Sequence, residues 1–368
     1  MVESLLNIVF GAVFAAAFII ASGYVWQWVY MRPTGQDETL YFKTADGWRL
    51  AVHHYKAGEN PDGYPVILCH GLSSNRFVFD LPGEASLARF LADRGRDVWV
   101  AELRGSGMSD GPGLFVSESP YSWDFDDHLT KDLPAILQFV LFRTGASKVH
   151  YIGHSMGGML ILAYLASQDD PPVASAVTVG SPANFAQARN PVFDFLLKVM
   201  PLIERLSVSP LPLIGRNLTP FAQWLSKYLL GAFFAANVRP VTARKIVALA
   251  AELVASNTLW LTFGRYLKTG LFADPRGNRY LENLAASKVP ILVTGGSKDM
   301  MAPEASVRAA CDFEAGNSGE RNCVMFGRAS GCVEDYGHMD LLVGLRVEQE
   351  VFPVILHALK RHDSARSL

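Results

Sequence analysis

Apolar and polar positions divide the chain into a long apolar leader followed by alternating short strands and helices. From Ser4 to Met31 no charged residue occurs. The stretch Leu5–Tyr24 alone is about 20 residues, roughly 30 Å as a helix, enough to cross a bilayer. Beyond it, runs rich in β-branched and aromatic residues read as strands: Trp48–Tyr55, Pro65–Cys69, Asp97–Leu103, Val149–Gly153, Ala174–Gly180, Val289–Thr294 and Asn322–Phe326. Helical patterns fall between and after them, at Glu84–Arg94 (with Leu87, Phe90 and Leu91), Asp127–Arg143, Gly158–Ser167, Pro303–Cys311 and Val347–Arg361. The alternation predicts an α/β fold with a mostly parallel central sheet and helices on both faces, which accounts for the continuous apolar strands.

The rhythm breaks between Ala183 and Ser287, where helical patterns occur without a core-like strand. This region is read as a helical insertion. Phe193, Phe195, Leu196, Leu197, Val199 and Met200, then Phe221, Trp224, Leu225, Leu229, Leu230, Phe233 and Phe234, make it strongly apolar. A small bundle burying its own core explains this content, and so does a cap offering apolar walls to a ligand; the two are compatible. The expected organisation is an anchor over 1–31, a first core part over 32–182, the cap or lid over 183–287 and a second core part over 288–368.

For the leader, a single membrane span competes with a cleaved export signal and a buried helix. The first four residues carry no Lys or Arg, and the apolar run exceeds the usual length of a signal core, which favours the span. Tyr24, Trp26, Trp28 and Tyr30 then stand where an interfacial aromatic belt would be. Arg32, Lys43 and Arg49 follow the span and no basic residue precedes it, a bias that places the main domain on the cytoplasmic face. The whole chain of 368 residues has 33 Lys and Arg against 35 Asp and Glu, so its charge offers no attraction to nucleic acid. Cys69 reads as a small core hydrophobe. Cys311, Cys323 and Cys332 have room for one disulfide but lack zinc-site spacing, and no metal or other cofactor is expected.

The strongest local signal is Gly153-His154-Ser155-Met156-Gly157-Gly158, directly after a strand and before a helix. It fits a nucleophile elbow, where flanking glycines make room for a serine on a strained turn. The five-residue pattern alone is weak, and the strand-before, helix-after context carries the weight. A serine hydroxyl needs a base, and the base needs an acidic partner to set its tautomer. Asp299, just past a strand, and His338, in a loop after the last strand, follow in that order. His154 and His150 flank or precede the elbow, and His128, His357 and His362 sit in helical or tail segments. His53 and His54 are adjacent on one strand, so one should face inward and the other outward. The remaining need is a pair of oxyanion donors. Strand Pro65–Cys69 runs into His70-Gly71-Leu72, which makes the backbone N–H groups of Leu72 and Met156 the candidates, each worth roughly 3–4 kcal/mol. His70 is read as a structural hydrogen-bonding group.

Over about residues 40–365 the chain resembles the α/β-hydrolase fold, and within it the acid lipases of the gastric and lysosomal type. The resemblance lies in His70-Gly71-Leu72, Leu91-Ala92-Asp93-Arg94-Gly95 leading to Asp97-Val98-Trp99-Val100, Asp132-Leu133-Pro134-Ala135, and His150-Tyr151-Ile152-Gly153-His154-Ser155. Met156 stands where acid lipases commonly carry Gln. The resemblance implies carboxylester hydrolysis through an acyl-enzyme, with the insertion as a lid over an acyl pocket and a lipid-like ester as substrate. Competing expectations are an acyltransferase or thioesterase on the same fold and an inactive homologue that binds lipid or a partner. A serine at the elbow disfavours polymer synthases of this fold, which use cysteine, and epoxide hydrolases and dehalogenases, which use aspartate.

Overall fold

The computed structural model describes residues 2–58, 61–111, 122–188, 194, 198, 215–225, 235–252, 256–312 and 319–363. Eight strands form one sheet: β1 Glu38–Lys43, β2 Arg49–Tyr55, β3 Val66–Cys69, β4 Val98–Glu102, β5 Val149–His154, β6 Val173–Val179, β7 Ile291–Gly296 and β8 Arg321–Phe326. Their order is β1-β2-β4-β3-β5-β6-β7-β8. β2 pairs antiparallel with both β1 and β4, and every other neighbouring pair is parallel. All the expected strands are present, with no end shifted by more than two residues, and β1 is an addition. It joins β2 through a tight hairpin in which Gly47 takes φ +90° and the Thr44 N–H donates to the Trp48 carbonyl at 2.8 Å.

Alternation along the strands feeds two cores. On β3, Ile67 and Cys69 enter the apolar cluster that holds the helices Leu133–Thr144 and Met156–Leu165. Val66 and Leu68 enter the opposite cluster, with the helices Leu87–Ala92 and Phe352–Arg361. Both faces being covered, period-two alternation leaves no polar face, and β3 reads as an unbroken apolar run. The same coverage corrects the expectation for His53 and His54, which are both buried. His53 Nε2 lies 3.0 Å from Glu102 Oε2, and His54 bridges Glu38 and Asp97 while stacking on Trp99.

Between β6 and β7 the described residues are helical or irregular, with helices including Ala222–Leu225, Pro240–Lys245, Asn257–Thr269 and Tyr280–Leu284. Leu259, Tyr266, Phe272 and Tyr280 from the later part pack into the main cluster rather than into a separate bundle. The apolar residues Phe193, Phe195, Leu196, Leu197, Val199, Met200, Leu229, Leu230, Phe233 and Phe234 lie outside the described residues. Phe221 and Trp224 do not fill a bundle core, being 59% and 58% exposed.

The leader forms a single helix, Val2–Tyr30. Among the described residues no helix is long and apolar enough to cross a membrane, so the expected transmembrane anchor is not found there and a bilayer-crossing reading rests on the sequence alone. The end of the helix is tied to the protein body. Trp26, Tyr30 and Met31 pack against the apolar cluster, the Ser22 hydroxyl donates to Asn217 Oδ1, and Asn217 Nδ2 donates to the Ile19 carbonyl at 2.9 Å. Of the cysteines, Cys311 and Cys323 form a disulfide, joining the segment after helix Glu304–Arg308 to β8, and Cys69 and Cys332 are free.

Candidate active site

The parallel strands deliver their C-terminal ends to one edge of the sheet, where loops of an open α/β sheet build sites. β5 ends at His154, and the helix Met156–Leu165 starts two residues later. Ser155 makes this turn alone, at φ 52° and ψ −118°, one of two non-glycine residues with positive φ among the described residues. Its strain is held by contacts on every side. The Ser155 N–H donates to the Val179 carbonyl at 2.9 Å, and its carbonyl accepts from Gly158 and Met159. A Cβ on Gly153 would lie 2.3 Å from the backbone of Gly157, and one on Gly157 would lie 2.3 Å from the Cys69 carbonyl oxygen. The glycine spacing is therefore a packing requirement.

Asp299 and His338 meet beside this turn. His338 Nδ1 and Asp299 Oδ2 are 2.8 Å apart, and both side chains are buried. The other carboxylate oxygen, Oδ1, accepts the N–H groups of Met301 and Ala302 at 2.8 and 2.7 Å. Those bonds fix the rotamer, leaving Oδ2 for the imidazole and Nε2 of His338 for chemistry. The pair borders Gly180, which directly follows the residue that receives the Ser155 N–H, and a Cβ there would sit 3.2 Å from both Asp299 Oδ2 and His338 Nδ1. Among the described residues no hydrogen bond joins Ser155 Oγ to His338. Looser nucleophile–base spacing is common where no substrate is bound.

On the neighbouring side, β3 leads into His70-Gly71-Leu72. A Cβ on Gly71 would come within 2.8 Å of Ser155 Cβ, so only glycine lets this loop pass so near the serine. Neither the Leu72 N–H nor the Met156 N–H donates to an acceptor among the described residues. The first N–H groups of a helix lack intrahelical partners, which leaves the one on Met156 for a ligand. His70 is structural, as expected. Its Nδ1–H donates to the Gly71 carbonyl at 2.8 Å, its Nε2 accepts the Leu103 N–H at 3.2 Å, and burial depresses its pKa to about 4.

Two supporting groups had no role in the sequence reading. His154, fully buried, points Nε2 at the His338 carbonyl 3.3 Å away, and burial followed by the nearby His338 holds its pKa well below the usual range. Asp340, two residues past the base candidate, accepts the Gly337 N–H at 2.8 Å and binds Asn237 Nδ2 at 3.0 Å, fixing the loop. Carboxylate spacing after Gly337-His338 is the signal that would have found it. The insertion also touches the site: the Glu252 N–H donates to the carbonyl of Ser73, the other positive-φ residue, and Glu252 Oε2 accepts the Gly107 N–H at 2.7 Å. Burial raises the Glu252 pKa. No cluster of three or more metal-ligating side chains occurs among the described residues.

A serine on a strained strand-to-helix turn and a histidine–carboxylate pair on later strand ends define a class that sequence comparison identifies directly. The profile of the α/β hydrolase fold matches residues 64–344, and the chain belongs to that family. It is lipase-like: it is 26% identical to Lipase 1 of Drosophila melanogaster over 356 residues, covering 88% of this chain and 77% of that protein. It is 36% identical to the gastric triacylglycerol lipase of Bos taurus over 145 residues, about a third of either chain. Among solved structures, a bacterial membrane phospholipase A aligns over 99% of this chain and all of that one, with TM-score 0.56 and 17% identity. A thermophilic esterase from Thermogutta terrifontis aligns over 89% of this chain and all of that one, with TM-score 0.56 and 18% identity. At these identities the two structures speak to the fold.

Proposed function

We propose that the protein is a membrane-attached serine carboxylester hydrolase acting on apolar acyl esters. The observation that carries this reading is the 2.8 Å His338–Asp299 pair packed beside the strained Ser155 turn. Ser155 Oγ attacks the ester carbonyl as His338 Nε2 accepts its proton, and Asp299 stabilises the resulting imidazolium. The Leu72 and Met156 N–H groups receive the developing oxyanion. His338 then protonates the leaving alcohol, and water, activated by the same imidazole, releases the acid from the acyl-enzyme. Similarity to named lipases supports a lipid-like substrate. The insertion over residues 183–287 serves as the cap.

Membrane attachment is supported by the uncharged stretch Ser4–Met31 and by the outward aromatic rings of its helix, with Phe14 and Trp28 more than 70% exposed. The Cys311–Cys323 disulfide favours an oxidising compartment for the main domain, the reverse of the cytoplasmic placement that Arg32, Lys43 and Arg49 favour.

The test is hydrolysis of a p-nitrophenyl ester series by the full chain in detergent. Preference for medium or long acyl chains, abolished by Ser155→Ala, supports the reading. Strict preference for acetate, or activity that survives Ser155→Ala, overturns it.

A further inference from the structure

The segment after Asn217 is amphipathic in the wrong sense for a protein surface. Thr219 and Ala222, small residues, face inward and are buried, while Phe221 and Trp224 are more than half exposed. Large aromatic side chains turned to solvent as a pair mark a surface that is covered in use. What covers them is indicated by the neighbour of this segment, the N-terminal helix. Asn217 binds the Ile19 carbonyl and the Ser22 hydroxyl, and the Arg216 guanidinium lies 5.9 Å from the centre of the Tyr24 ring.

These contacts set a depth. At about 1.5 Å per residue, Ile19 lies roughly 7 Å further along the helix than Tyr24, the first residue of the aromatic belt, on the side of the apolar stretch. A segment bound at Ile19 and Ser22 therefore stands level with the last turns of that stretch, where a polar Asn needs the partners that the helix supplies. Phe221 and Trp224 follow Asn217 within two turns, and on the helix that Asn217 binds Phe18, Val25 and Trp28 are exposed as well.

We propose that the exposed face of residues 219–224 and the N-terminal helix form one bilayer-docking surface, with Phe221 and Trp224 seated in the lipid interface beside the helix. This rests on the membrane attachment proposed above and adds a second, monotopic contact made by the insertion. The face is also close to the chemistry. Arg216 lies 3.9 Å from Glu252, whose N–H holds the Ser73 carbonyl next to the oxyanion loop. A docked insertion thus sets the site against the membrane, where an acyl ester reaches it without crossing water.

The test uses the full chain carrying Cys332→Ser, with Phe221→Cys or Trp224→Cys labelled by an environment-sensitive nitrobenzoxadiazole dye. Each is reconstituted in phosphatidylcholine–phosphatidylglycerol vesicles containing nitroxide lipids. Phe142→Cys is the aqueous control: it is 86% exposed, near the end of the helix that leads to the start of β5, at the sheet edge opposite the site. Blue-shifted emission quenched by shallow nitroxides at 221 and 224, but not at 142, is the expected result. Aqueous, unquenched dye at 221 and 224 in chains that float with vesicles overturns the docking face and leaves the helix attachment standing. A blue shift without quenching, the mark of a protein partner or a second copy, also overturns it. Chains that fail to float overturn the attachment itself and the docking face with it. As a functional arm, Phe221→Glu with Trp224→Glu should lower hydrolysis of vesicle-borne ester by about tenfold while turnover of a short soluble ester is unchanged. Equal loss on both substrates overturns the proposal.

Discussion

Acidification should destabilise the fold through His70, and the size of the effect follows from its surroundings. The ring is 1% exposed, and both of its nitrogens are committed, one donating to Gly71 and one accepting from Leu103. A second ring proton would bury a cation and leave the Leu103 N–H without its acceptor, so the pKa falls from 6.5 to about 4. A depressed folded-state pKa gives stability that is present above pH 6.5 and lost as pH falls toward 4, because the unfolded chain takes up the proton first. The loss is about 2 kcal/mol at pH 5 and about 3 kcal/mol below pH 4. His150 and His154, whose pKa values burial also lowers, add losses of the same sign. His54 acts in the opposite direction: burial lowers its pKa, but hydrogen bonds to Asp97 and Glu38 outweigh this and raise it, so its contribution is lost as pH rises. The difference between wild type and His70→Gln isolates one ring, since glutamine keeps a donor and an acceptor but does not titrate. Urea unfolding of both proteins in detergent at pH 7 and pH 5, followed by near-ultraviolet circular dichroism, should show a drop in unfolding free energy in wild type that is smaller by about 2 kcal/mol in the variant. Equal drops would refute the argument.

Three further outcomes follow from the geometry. Gly157→Ala places a methyl group 2.3 Å from the Cys69 carbonyl and should cost about 1–3 kcal/mol of stability along with most activity, read by thermal unfolding and ester turnover. Asp299→Asn keeps the shape of the site but removes the charge that orients His338, and kcat should fall about 10⁴-fold with KM little changed. Cys311→Ser opens a link that closes 12 residues of sequence separation and should cost about 3 kcal/mol, with wild type showing a matching loss on reduction and the variant none.

Much of this architecture was legible because the relevant signals are local. Ser155 is announced by its flanking glycines, and the close approaches of Gly153 and Gly157 explain why those positions lack side chains. Asp299 and His338 each follow a strand that stands out as an apolar run, and chain order did the rest. β1 went unseen because Glu38–Lys43 alternates weakly and becomes a strand by pairing with β2. The burial of both His53 and His54 depends on layers contributed by distant segments, and no local pattern carries that. The choice of Cys311 with Cys323 rather than Cys332 is likewise set by where β8 lies against the helix before it. His154 was set aside as a neighbour of the nucleophile, yet it meets the His338 backbone from 184 residues away, a contact that only the fold creates. For the insertion, apolar content alone left a self-contained bundle and a cap both open, because it does not say which layer each side chain joins. Tyr266 and Phe272 serve the main core, and Phe221 and Trp224 face outward.

The account turns on Ser155 being an activated nucleophile, and reaction of the full chain with a fluorophosphonate tests this most directly. One adduct per chain, mapped by mass spectrometry to Ser155 and absent from Ser155→Ala, with labelling strongly slowed in His338→Ala, is the predicted result. Failure to label, or an adduct at another residue that persists in Ser155→Ala, would contradict it.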